Sequence, residues 1–300
     1  MKKFAAKRLA SGAVPLFFSA TLALFVAGTA APAEELYGTL KKIDDSNTIT
    51  IGHRESSTPF SYYDENKHPI GYAIDLCNKV VEEVKKSLNK PDLQTKYVLV
   101  TAQTRIPMVA SHDVDMECGT TTNTFARQQQ VDFSAVYFTT GTRVMTRKVA
   151  KASEIEDFQG KAVGVVGGST NERAITAMID TGKLKDVHLV VLKDYAEGLA
   201  ALEGGSIDAF ATDDIVLYGL LSKSSIKDDL EVVGRFLTYD PYGIMLRRDD
   251  SAFRLVVNKA LADTFRSGEI EKIYGKWFDP LGVPMSPLLK AGFELQAVPN

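Results

Sequence analysis

Histidine and cysteine are scarce: four histidines and two cysteines in 300 residues leave few ways to build a metal or nucleophile centre. His53, His68, His112 and His188 are scattered, and no His-Glu-x-x-His, Cys-x-x-Cys or Gly-x-Ser-x-Gly arrangement occurs. The Gly-Gly-Ser-Thr run at 167–170 lacks the Gly-Lys-Ser/Thr ending of a phosphate-binding loop. Neither a cofactor nor a metal is expected. Positive charge is also in deficit, with a formal net charge of −3, so a nucleic-acid partner is not expected. A hydrophobic fraction of 45% with 24% charged residues excludes collagen-like and disordered chains.

An apolar run from Val14 to Ala27 is short for a bilayer span. Lys2, Lys3, Lys7 and Arg8 precede it and Ala31-Pro32-Ala33 follows, the order of a cleaved secretory signal. No cysteine lies near that site to take a lipid anchor. Removal of residues 1–33 would leave Glu34 first and take the net charge from −3 to −7. Export into an oxidising compartment permits a Cys77–Cys118 disulfide, with two buried thiols as the alternative.

Alternating β-branched residues predict a strand through Thr48–Ile51, followed by an amphipathic helix at Tyr72–Leu88 that Asn89-Lys90-Pro91 stops. A strand at Tyr97–Val100, a short helix at Ile106–Ala110 and a strand at Val114–Cys118 continue a βαβ succession. The same grammar returns from Lys161: a buried-type strand, a loop at 167–170, a helix from Asn171, then strand, helix, turn and strand from Leu189. Two α/β lobes, each a parallel-type sheet flanked by helices, are therefore expected. The runs from Val136 and Val232, interrupted at Gly141 and Pro241, read as two hinge strands. The division predicted is 34–140 for lobe one, 141–240 for lobe two, and 241–300 for the return to lobe one, with Asn258–Phe278 as one helix.

Arg54 emerges where the first strand ends, among hydroxyls and aromatics, a setting suited to a small anion. The chain resembles the periplasmic solute-binding proteins of amino-acid ABC importers, family 3, and among them the glutamate/aspartate-binding members. The resemblance covers the mature chain and rests on GHRESSTPFSYY (52–63), KPDLQ (90–94), QTRIPM (103–108), ECGTTTN (117–123) with Arg127 and VDFS (131–134), FQGKAV (158–163), ALEGGSIDAFATDD (201–214), YGIMLRRDD (242–250) and GKWF (275–278). It implies a type II two-lobed fold, a ligand buried between lobes that close on it, a periplasmic monomer, and a membrane permease that receives the ligand.

A free acidic amino acid presents an ammonium and two carboxylates. By the resemblance, Arg127 grips the α-carboxylate with help from Thr120 and Thr122, and Asp213 receives the ammonium, leaving Asp214 as a helix cap or structural partner. Ser169 and Thr170 complete the hydrogen bonds from the other lobe, where Gly167 and Gly168 open a helix start suited to an anion. Arg54 and Arg105 are the cations a neutral amino acid would not require, and they suit a second carboxylate. Ala102 stands where the family offers a serine and Tyr195 where it offers a histidine, both at the side-chain end of the pocket. Glutamate or aspartate is the expected ligand; an amide amino acid, or a periplasmic enzyme on the same scaffold, are the alternatives.

Overall fold

In a computed structural model of the protein, residues 35–299 are described; the expected signal segment lies outside them. The first half opens with α1 (Gly38–Ser46), β1 (Thr48–His53), and the short strands β2 (Ser56–Ser57), β3 (Ser61–Tyr63) and β4 (Pro69–Ile70). Then come α2 (Tyr72–Ser87), β5 (Gln94–Leu99), α3 (Arg105–Ala110), β6 (Met116–Cys118), α4 (Phe125–Gln128) and β7 (Val131–Thr140). The second half begins with β8 (Thr142–Arg147), β9 (Ala162–Val166), α5 (Thr170–Asp180), β10 (His188–Leu192), α6 (Tyr195–Gly204), β11 (Ala209–Asp213), α7 (Asp214–Leu221) and β12 (Leu230–Val233). It closes with β13 (Asp240–Arg247), α8 (Ser251–Arg266), α9 (Glu269–Phe278) and α10 (Pro287–Gln296).

Two five-stranded sheets form, in the orders β5-β1-β6-β13-β7 and β10-β9-β11-β8-β12. Each has three parallel strands from its own βαβ succession, as the buried apolar runs dictate. Each then adds an antiparallel strand that has just crossed between lobes, β13 in the first sheet and β8 in the second, so the sheets are mixed rather than purely parallel. Alternation alone carries no sign of strand direction.

The chain passes from β7 to β8 through Gly141. A Cβ there would collide with the Thr238 carbonyl, so glycine is what lets the two crossings touch. They are tied by Thr142 N to Thr238 Oγ1 (2.8 Å) and Leu237 N to Thr142 O (2.9 Å). The return crossing differs from the sequence reading. Its strand is interrupted over 234–239, and Pro241 sits inside β13 with its carbonyl accepting from Asn123 N (2.8 Å). The expected single helix over 258–278 is two, because Gly268 at φ 74° takes a left-handed conformation that ends one axis before α9 begins.

An aromatic cluster of Phe60, Tyr72, Phe138, Tyr242 and Phe278, with edge and stacked contacts at 4.9–6.1 Å, fills the first lobe beside the crossings. The buried face of α2 (Ile74, Val80, Val84) packs on the same core. Cys77 of α2 is bonded to Cys118 of β6, with Cα atoms 6.4 Å apart, which resolves the open choice between a bridge and two thiols.

Candidate functional site

The nine residues singled out from sequence come from segments that follow or end parallel strands. Arg54 follows β1, Arg105 follows β5 at the start of α3, and Thr120 and Thr122 follow β6, with Arg127 on α4. From the second sheet, Ser169 and Thr170 follow β9, Tyr195 follows β10, and Asp213 ends β11. The carboxyl ends of strands in a βαβ sheet leave a crevice between diverging loops. Here two such crevices face each other and meet.

Contacts across the meeting line are direct. Thr122 Oγ1 lies 3.3 Å from Thr170 Oγ1, and Thr120 Oγ1 lies 3.3 Å from the Tyr195 hydroxyl. Arg127 Nη2 donates to Gly168 O at 3.4 Å, and the Arg54 guanidinium stands 5.6 Å over the Tyr195 ring. Ala102, from the first lobe, packs in an apolar cluster with Val166, Leu192 and Tyr195 of the second. The lobes are closed on one another.

Three guanidiniums gather on the first-lobe side: Arg54, Arg105 and Arg127 are 3%, 2% and 3% exposed. Arg127 Nη1 donates to Thr122 O (2.8 Å), and Arg105 Nη1 to Thr121 Oγ1 (2.6 Å) and Thr120 O (3.3 Å). Arg54 Nη1 and Arg105 Nε have no hydrogen-bond partner among the described residues. Burial, then the Arg105 charge, pulls Arg54 below its ordinary value, and the same two causes, with Arg173 after them, bring Arg127 to about 9. Such a cluster is matched by anions that donate nothing and accept several N–H bonds.

Opposite lies a carboxylate. Asp213 occupies the N-cap position of α7, but its side chain makes no cap bond; Oδ1 accepts from Asn171 Nδ2 (2.8 Å) and Oδ2 from the Tyr242 hydroxyl. Burial, then the neighbouring Asp240 charge, pushes its carboxyl up to about 7, against the lowering effect of those two bonds. A cationic group placed there would reverse the shift.

Three further local contacts bear on the site. Ser169 caps α5 by accepting from Glu172 N (3.0 Å), and Gly168 N already donates to Glu172 Oε2 (2.7 Å), so this helix start carries its own anion. Asp214 accepts from Thr140 Oγ1 of the crossing strand, the structural-partner role open to it beside capping. His53, beside the site, is committed to Arg54 O (3.1 Å), and burial lowers its basicity.

Sequence reading passed over Glu117, Thr121, Thr142, Asn171, Asp240 and Tyr242. Thr122 Oγ1 donates to Asp240 Oδ1 (2.9 Å), and Thr238 Oγ1 to its other oxygen. Asn171 Nδ2 also reaches Thr142 Oγ1 (2.7 Å), linking Asp213 to the crossings. The signal available was an acidic residue inside an otherwise apolar strand, at Glu117, and another opening one, at Asp240.

Residues 49–280 match the family described as "Bacterial extracellular solute-binding proteins, family 3". The chain is 45% identical to an "L-glutamate/L-aspartate-binding protein" of Pseudomonas aeruginosa over 92% of this chain and 94% of that protein. It is 40% identical to a "Glutamate/aspartate import solute-binding protein" of Escherichia coli over 96% and 93%. Among solved structures it is similar to "An ancestral arginine-binding protein bound to arginine", with a TM-score of 0.70 and 29% identity over 77% of this chain and 98% of that one. These are binding proteins; the enzyme alternative on this scaffold falls away.

Proposed function

This chain belongs to family 3 of the bacterial extracellular solute-binding proteins, and from that premise we propose that it is the periplasmic component of an ABC importer for glutamate or aspartate. It captures the free amino acid between its lobes and delivers it to a membrane permease. Export with cleavage after Ala33 and a monomeric state belong to the same reading.

The observation that carries it is the pairing of three buried guanidiniums with one buried carboxylate across the lobe contact. Arg127, with Thr120 and Thr122 beside it, takes the α-carboxylate, which a planar guanidinium grips in bidentate fashion. Asp213 takes the ammonium. Arg54 and Arg105, each with a buried N–H lacking a protein partner, take the second carboxylate. Tyr195, lying over Arg54, shapes that end. The 30% identical "ABC transporter glutamine-binding protein" of Bacillus subtilis marks the amide alternative, for which the Arg54–Arg105 pair would leave unmatched charge in a buried site.

Calorimetry of the chain, stripped of ligand by unfolding and refolding, against the common amino acids tests the reading. Glutamate or aspartate should bind at least about a hundredfold tighter than glutamine or asparagine, as one uncompensated buried charge implies. Equal or tighter binding of the amides would overturn it.

A further inference from the structure

Glu117 is fully buried. It lies on β6, opposite Gly52 of β1 and Met245 of β13, in the middle of the first sheet. Its Oε2 accepts from Thr121 Oγ1 at 2.6 Å, and that hydroxyl also takes the Arg105 Nη1 hydrogen at 2.6 Å. Oε1 has no hydrogen-bond partner among the described residues. It overhangs Gly119 together with Arg54: a Cβ on Gly119 would collide with Oε1 and stand 2.9 Å from Arg54 Cγ. Glycine is therefore what lets this carboxylate lie against the arginine stem. The same carboxylate opposes the loss of basicity at both Arg54 and Arg127.

Glu117 is the acid tied to the cluster itself, through Thr121 to Arg105, whereas the other buried acid of the site, Asp240, is held by Thr122 and Thr238 beside Asp213. Three guanidiniums set against Glu117 leave an excess of positive charge for the two carboxylates of an acidic amino acid. Its ammonium is matched separately by Asp213.

We propose that Glu117 is a specificity-determining residue: as the resident counter-anion of the Arg54–Arg105–Arg127 cluster, it sets the residual charge of the cleft to suit a ligand with two carboxylates. The proposal rests on the acidic-amino-acid reading above. Glu117 does two opposed things. It stabilises the cluster before ligand arrives, and it repels each negative charge the ligand brings, so that the gain from every further charge is held down. Substituting an amide keeps an acceptor for Thr121 and removes only the charge, so each added negative charge on the ligand should then gain.

Three ligands of similar reach form a charge series: glutamine, glutamate and O-phosphoserine, whose phosphate carries close to two negative charges. In Glu117→Gln, affinity for glutamate relative to glutamine should rise about tenfold over wild type, and affinity for O-phosphoserine relative to glutamate should rise again by a similar factor, the scale of one charge interaction at protein-like dielectric. A change that is equal for all three ligands would overturn the proposal, since a merely structural carboxylate moves them together. If the variant does not stay folded without ligand, thermal unfolding reads the same trend: the change in ligand stabilisation from wild type to variant should be most favourable for O-phosphoserine, then glutamate, then glutamine. An equal change for the three, or stabilisation by none, would overturn it. A wild-type chain that prefers glutamine defeats the acidic-ligand reading and this proposal with it; a wild-type preference for glutamate with an unshifted Gln variant defeats the proposal alone.

Discussion

The Tyr242 hydroxyl donates to Asp213 Oδ2, although Asp213 ends a strand of the second sheet and Tyr242 lies on the crossing strand in the first. The carboxylate proposed to meet the ammonium of a ligand is thereby fastened to the hinge. Asn171 extends the link to Thr142, whose hydroxyl lies 2.8 Å from Thr238 Oγ1 on the other crossing. Chains of buried hydrogen bonds of this kind are rigid when complete and costly when broken.

The raised Asp213 carboxyl gives ligand binding a pH dependence of known sign. Asp213 is held to about 7 in the ligand-free chain by burial and by Asp240, so below that pH an ammonium must displace a proton. Affinity should be flat above pH 7 and fall with decreasing pH, by at most tenfold per unit. Stability of the ligand-free chain runs the other way. The folded state keeps a proton that the unfolded state releases near 3.8, so this group's contribution declines as pH rises from about 4 to 7. Asp213→Asn should abolish amino-acid binding and flatten that part of the stability profile. Unchanged profiles in the variant, measured by denaturant unfolding from pH 4 to 8, would contradict the assignment.

Tyr195 contributes a ring over Arg54 and a hydroxyl near Thr120. Tyr195→Phe removes only the weak cross-lobe hydroxyl contact and should cost less than about 1.5 kcal/mol of ligand binding. Tyr195→His, with a smaller ring, and Ala102→Ser should change the glutamate-to-aspartate affinity ratio. Parallel losses for both ligands in titration calorimetry would mean that Tyr195 acts only in closure.

The Cys77–Cys118 bridge closes a loop of 41 residues between a core helix and the strand that leads into the cleft. Replacing both cysteines with alanine should lower stability by about 2–5 kcal/mol. Thiol titration of the unfolded, unreduced wild type should find no free thiol; two would contradict the bridge.

Much of the cleft was legible because chemistry in βαβ units gathers at strand ends, and strand ends are marked by where apolar runs stop. Arg54 stands just past β1 and Asp213 ends β11, while Arg105 and Arg127 lie on the helices that follow β5 and β6. What the sequence hid follows from periodicity that does not register backbone breaks or strand direction. The apolar spacing of α8 runs on into α9 through Gly268, so one helix was the natural reading. α1 was passed over because nine mostly polar residues bury only Thr39, Leu40 and Ile43. Glu117 and Asp240 stand out in sequence only as acids among apolar residues, and their roles are set by neighbours that the fold brings to them: Thr121 and Arg105 for one, Thr122 and Thr238 for the other.

The central claim is that Arg54 and Arg105 hold the side-chain carboxylate of the ligand while Arg127 and Asp213 hold the end common to all amino acids. Calorimetric titration of Arg54→Ala and Arg105→Ala with glutamate and with glutamine tests it most directly. Each variant should lose several hundredfold or more in glutamate affinity, about 3–5 kcal/mol for a buried carboxylate left without its cation, and far less in glutamine affinity. Glutamate binding that survives either substitution, or glutamate and glutamine affinities that fall together, would contradict it.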